Sequence, residues 1–353
     1  MEQRSQVAGV RKRPGMYVGD TDDGSGLVHL VLEVVANAYD PYMLGRCSSI
    51  GLTIAADGTT TVDDDGPGIA VGGGNGVPPI DVMLTQLSTR PTVDGHRPHV
   101  HLGLGGLGLV VVNALSDRFE LVTVRDGIEA RTTYARGEVV EPLTTTPTER
   151  PSGTTIRFRP DPLIFRHARV PRVELTRTLE DLSFLAPRLR VRWSIEGDQV
   201  AARGLVGRVA LGVPCSFEDV ACHRGSYDTA QGPIDVEVAL AWRFGANEPP
   251  MIDSFVNLAR TRADGTHVKG LLDGVHAFLG AGRRPSNALG LVALVSVVLT
   301  DVLYGNPTKD RLDSPEARAP VREAVNTALE AWALTHAEQV DALRKRHKAL
   351  TAP

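Results

Sequence analysis

The chain has 353 residues, 42% of them hydrophobic and 23% charged, and a formal net charge of −4. That length leaves room for two domains, each with its own core, and the mild acidity excludes a uniformly basic nucleic-acid binder. Three cysteines, Cys47, Cys215 and Cys222, are too few and too odd in number for a disulfide framework, and read as reduced thiols of a cytoplasmic protein.

No basic, then apolar, then small-residue leader opens the sequence. Residues 24–40, "GSGLVHLVLEVVANAYD", space their apolar positions as a helix does and follow an Asp/Gly/Ser cluster suited to a helix start. "SIGLTIAADGTTTVDDDG" predicts two strands around an Asp57-Gly58 turn. From 71 to 102 the composition shifts to Gly, Pro, His and Thr, with one helical piece at 80–87. A hairpin follows around Asp126-Gly127, then the strand "SGTTIRFRP". The pattern restarts near residue 200 with strands "IDVEVALAWRF" and "DSFVNLART", a helix at 267–279 and an apolar strand near 295. The run 289–303 is broken by Ser296, Thr300 and Asp301, so it reads as a buried strand and not as a membrane span. One long amphipathic helix is expected over 315–348, ending in the basic run "LRKRHK". Two α+β domains with a boundary near 205 result.

Glu33 and Asn37 lie four apart on the first long helix and share a face. The carboxylate could polarise a water and the amide oxygen ligate Mg²⁺, or the pair could mark a solvated face. "DDDGPGIA" ends a strand with three carboxylates and two glycines that admit a flat ligand; a plain acidic turn is the alternative. "GLGGLG", 103–108, opens an apolar segment as phosphate-cradling loops do, and also satisfies a dinucleotide fingerprint. His96, His99 and His101 read as solvent- or phosphate-facing side chains of a lid rather than metal ligands.

In order, "VRKRPGMYVGD", "LEVVANAYD", "DDDGPGI", "GLGGLGLVVVNALS", "SGTTIRF", "DGTH" and "PTKDRL" resemble the ATPase and transducer segments of bacterial type IIA topoisomerase B subunits. The resemblance implies an α+β fold. A GHKL (Bergerat) two-layer α/β ATPase sandwich would span 1–205, a ribosomal-S5-like transducer 206–314, and a C-terminal helix 315–353. It implies a cytoplasmic enzyme that binds and hydrolyses ATP with Mg²⁺. By resemblance, Asp64 reads the adenine amine, Gly68 and Ile69 lie against the base, and Thr154 holds a companion water. Glu33 becomes the general base and Asn37 the Mg²⁺ ligand. Gly103, Gly106, Leu107 and Gly108 bind phosphate, and Lys309 reaches the γ-phosphate.

The chain departs from the family at several positions. Pro41 and Pro67 replace a Glu and an Arg that face each other over the adenine edge, so neither charge is left unpaired. Pro41 is expected to end or kink its helix near Tyr39. Ala36, Gly105 and Pro307 stand where the family has Asp, His and Gln, and "PSNALGL" replaces "D-x-x-R-E-G-L". Only ten residues precede "RKRPGMY", and no acidic metal-binding segment follows residue 310. A weak or nucleotide-independent homodimer is therefore expected. DNA or a gyrase A-type partner would enter only in a larger assembly, and by itself the chain should neither cleave nor supercoil DNA. A stand-alone relative that uses the ATP pocket for small-molecule biosynthesis, or as a decoy for gyrase inhibitors, is the second reading.

Overall fold

The computed structural model describes residues 2–72, 80–87, 108–166, 169–186, 188–195, 198–200, 205–211, 213, 219–244, 248–280, 288–306 and 309–351. The chain forms two compact units, Met1–Ala202 and Arg203–Pro353.

In the first unit, α1 (Glu2–Lys12), α2 (Gly15–Val18) and α3 (Ser25–Met43) lead into the hairpin of β1 (Ser49–Ile54) and β2 (Thr60–Asp64). Then come α4 (Ile80–Thr85), α5 (Gly108–Ala114), β3 (Ser116–Arg125), β4 (Ile128–Ala135), β5 (Glu138–Pro147), β6 (Gly153–Pro160), α6 (Arg172–Leu185), β7 (Arg190–Ile195) and β8 (Asp198–Val200). The strands make one eight-stranded sheet in the order β5-β4-β3-β6-β2-β1-β7-β8. Strand alternation sends every second side chain to the helix-covered face. Register aligns Trp193, Leu52, Val62, Ile156 and Leu121 into one buried row across five strands. The apolar stripe of α3 (Leu27, Leu30, Val31, Val34, Val35, Ala38) is wholly buried, and this helix packs on β1, β2 and β6.

Of the end or kink expected from Pro41, the end does not occur: α3 continues past Tyr39 to Met43 with Pro41 inside it. Tyr39 is fully buried and meets Tyr42 edge-on at 6.0 Å, and the Pro41 ring packs on Gly66, so tertiary contacts hold the last turn. At the far end of β6, the fully buried Asp161 accepts bonds from Arg11 (2.6 Å), Arg136 (2.9 Å) and the Leu163 amide (3.0 Å). Burial opposes its charge, but these donors outweigh it and hold the carboxyl below its usual range. Arg11 also donates to Ala114 O at 2.7 Å, tying α1 to the end of α5.

The second unit contains α7 (Leu205–Leu211), β9 (Ala221–Thr229), β10 (Gly232–Trp242), β11 (Met251–Val256), β12 (Ala259–Arg260), α8 (Thr266–Leu279), β13 (Leu291–Val298), α9 (Arg318–Ala333) and α10 (Ala337–Thr351). Its sheet runs β12-β11-β13-β10-β9, with β11 parallel to β13. Helices α8 and α9 approach closely at Gly274, where a Cβ would sit 2.7 Å from Val325 Cγ1. Beneath α8, the buried His267 Nε2 lies 3.1 Å from Thr261 Oγ1, which lies 2.6 Å from Ser254 Oγ. Burial pushes the His267 imidazole down to about 4, so it is neutral.

The single helix expected over 315–348 is corrected to a 3-10 turn, Pro315–Ala317, followed by α9 and α10. The break follows from side chains that compete for the Trp332 carbonyl: Thr335 Oγ1 donates to it at 3.2 Å and His336 Nδ1 lies 3.1 Å away. The amphipathic period runs through both helices, which hid the break in the sequence.

Candidate functional site

One rung beyond the apolar row, the same register aligns Ile50, Asp64, Thr154, Thr123 and Ala130. Asp64 thus occupies a core-facing position of the sheet, where alternation calls for an apolar side chain. Its Oδ1 accepts the Gly66 amide at 2.8 Å. Burial pushes the Asp64 carboxyl up to about 7; the charges of Asp65 and Asp63 add to the rise, and the backbone amides of Gly66 and Thr154 oppose it.

The three consecutive carboxylates have three different environments. Asp63, on the opposite face of the strand, pairs with Arg192 at 2.7 Å. Asp65 is pushed up by what burial it has, but Ser48 Oγ (2.6 Å), Ser48 N (2.7 Å) and Ser49 N (2.8 Å) outweigh this and bring it down to about 2. Asp64 alone is turned inward. The sequence shows three like charges in a row; the pleat and local donors separate them.

The glycine turn after them is pinned to β3. Gly68 has φ +75°, and a Cβ there would collide with the Val124 carbonyl. Ile69 N donates to Thr123 Oγ1 at 2.7 Å, and Thr123 Oγ1 lies 3.3 Å from Gly153 O. Arg125 Nη1 reaches Gly68 O at 3.3 Å. Gly68, Ile69 and the buried Thr154 are therefore brought together with Asp64 at one end of the sheet.

On α3, Glu33 is only 7% exposed, and a Cβ on Gly108 would collide with its carboxylate, so the start of α5 lies directly on Glu33. One turn along, Asn37 Oδ1 is buried with no hydrogen-bond partner among the described residues. An orphaned amide oxygen is a hard ligand, and Mg²⁺ is held by one or two protein oxygens together with phosphates and water, so the residue present fits that ion. Glu33 is buried and Asn37 half-buried with its Oδ1 shielded from solvent, which speaks against the solvated-face alternative.

Gly103, Gly106, Leu107 and the histidines at 96, 99 and 101 lie outside the described residues. Lys309 belongs to the second unit, where its φ is +59° and its amide donates to Asn306 O at 3.2 Å. Asn306 Oδ1 accepts the next amide, that of Asp310, at 2.9 Å.

Thr123, Ser48 and Arg125 escaped the sequence reading. Thr123 was in principle visible, because Phe119, Leu121 and Thr123 share the parity of an inward-facing strand edge and only the last is polar. Ser48 and Arg125 act through backbone and carboxylate partners that no local pattern announces.

Residues 22–164 match the family of histidine kinase-, DNA gyrase B- and HSP90-like ATPases. The DNA gyrase B protein of Caulobacter vibrioides is 30% identical over 367 residues, which cover 95% of this chain and 45% of that protein. The DNA gyrase B protein of Mycolicibacterium smegmatis is 31% identical, covering 92% and 55% respectively. The chain thus spans about half the length of the curated relatives it matches. The crystal structure of the 43K ATPase domain of Thermus thermophilus gyrase B, in complex with an aminocoumarin, superposes with a TM-score of 0.78 at 26% identity over 98% of this chain and 94% of that one. Likeness of that extent runs through both units, well past the 22–164 stretch: the chain is gyrase B-like in sequence and in fold, and residues 22–164 carry the match to the ATPase family.

Proposed function

We propose that the chain binds ATP in its first unit and hydrolyses it with Mg²⁺. The observation that carries this reading is Asp64. A carboxylate at a core-facing sheet position costs the fold stability, and a ligand amine that donates to it offsets that cost. Gly68 and Ile69 lie against the base, and Thr154 holds a water beside Asp64. By family resemblance, Gly103, Gly106, Leu107 and Gly108 would supply the amides that bind the phosphates.

Asn37 Oδ1 would hold Mg²⁺, which when bound neutralises charge on the phosphates. Glu33, one turn before it, orients a water and takes its proton as that water attacks the γ-phosphate. Lys309 is proposed as the cation for the γ-phosphate on family resemblance alone. A weak homodimer, and action on DNA with a gyrase A-type partner, are further parts of the proposal.

Phosphate release from Mg-ATP by the purified chain tests the reading. Glu33→Gln is expected to keep ATP binding and lower turnover by about 10²–10⁴-fold, the usual weight of a general base. Parental turnover in this variant would exclude Glu33, and a parent chain that binds no ATP would overturn the whole assignment.

A further inference from the structure

Resting on the reading of Asp64 as the group that meets the purine 6-substituent, we propose that this side chain selects the base by its protonation. As a carboxylate it accepts from a 6-amino purine; as a carboxylic acid it donates to a 6-oxo purine. The geometry behind this is an acid at a core-facing position whose surroundings favour neither state decisively.

The groups around Asp64 come from α3, β1, β6, the turn before β1 and its own segment. From α3, Pro41 packs on Gly66 beside it, its Cβ 3.1 Å from where a Gly66 Cβ would lie. Ile50 of β1 and Thr154 of β6 are the neighbours of Asp64 in register and carry no charge. From the turn before β1, the Cys47 thiol is pushed up to about 12, chiefly by burial, and is neutral. On its own segment, Asp65 and Asp63 are both acidic, and Asp63 already pairs with Arg192 on the other face. Residue 67, within the turn, is a proline and carries no charge. The two amides of Gly66 and Thr154 favour the anion, while burial and the flanking acids favour the neutral acid.

The two states make opposite demands. Adenine binding releases a proton from Asp64 to solvent whenever the empty site holds one, so its affinity weakens as pH falls. A 6-oxo purine needs that proton retained, so its affinity falls as pH rises. With a carboxyl titrating at about 7, each affinity changes about tenfold between pH 6 and pH 8, in opposite senses, and their ratio changes about a hundredfold.

The test is equilibrium binding of ADP and inosine diphosphate to the full chain at pH 6, 7 and 8. Neither ligand turns over, and their identical diphosphates cancel in the ratio of dissociation constants. The expected result is a preference for ADP at pH 8 that shrinks about a hundredfold by pH 6, with a flat ratio in Asp64→Asn. A constant ADP preference in the parent would overturn proton control and leave Asp64 as the adenine reader. Equal binding of both ligands at every pH would overturn the base-reading role itself, and this inference with it. The parent measurement decides these outcomes even if the variant does not fold.

Discussion

The Thr123 hydroxyl accepts the Ile69 amide at 2.7 Å, so a residue on the third strand fixes the turn that follows the three carboxylates. Thr123 is fully buried, and no solvent can replace it in that bond. Thr123→Val keeps the shape and removes the acceptor. It is expected to weaken ADP binding about fivefold, corresponding to roughly 1 kcal/mol for one such bond, with Thr123→Ser restoring it. Calorimetric titration of the three proteins checks this, and unchanged affinity in Thr123→Val would show that the turn holds its shape without β3.

Asn37 offers its Oδ1 to no described group. ADP affinity of the parent should therefore rise on adding Mg²⁺, whereas Asn37→Ala should bind ADP equally with Mg²⁺ or with a chelator. Paired titrations in the two conditions read the difference directly.

Arg11 and Arg136 share the buried carboxylate of Asp161. Arg11→Met removes one guanidinium and the bond to Ala114 O, while its stem can still pack. Breaking a buried pair from one side is expected to cost about 3 kcal/mol. Urea unfolding measures it; a loss under about 1 kcal/mol would mean that Arg136 and the Leu163 amide suffice.

His267 makes the second unit sensitive to acid. Its folded-state value, about 4, lies below the ordinary 6.5, so the unfolded chain binds the proton more tightly. Stability from this group is complete above pH 6.5 and is lost as pH falls toward 4, by about 3 kcal/mol in all. Trp242 and Trp332, stacked with centroids 5.8 Å apart, provide a fluorescence signal from that unit. His267→Gln should flatten the pH dependence of urea midpoints over this interval.

Much of this architecture was legible because period and punctuation agree. The stripe of α3, the Asp57-Gly58 and Asp126-Gly127 hairpins and the apolar β13 each carry a local signal strong enough to survive packing. Strands β7, β8 and β9 and helices α6 and α7 were not foreseen, because their mixed polar composition takes its order from neighbours; β7, for example, is fixed by parallel pairing with β1. Glu33 and Asn37 stood out as polar residues on an apolar helix, whereas Asp64 was one of three carboxylates in an acidic turn until resemblance singled it out. Thr154 was named only through resemblance, since a threonine in a strand draws no notice until register sets it opposite Asp64.

The inward carboxylate also bears on how the protein can be engineered. A folded-state value near 7 against an ordinary 3.8 means that the contribution of Asp64 is most favourable below pH 3.8 and is lost as pH rises through 7. At pH 8 the ligand-free fold carries a deficit on the order of 4 kcal/mol at this one position. A directed-evolution screen that rewards heat resistance alone would therefore strip Asp64 among the first substitutions, returning Asn or Leu there. Its winners would be robust scaffolds that have lost the base reader proposed above, so any such screen should be run with nucleotide present.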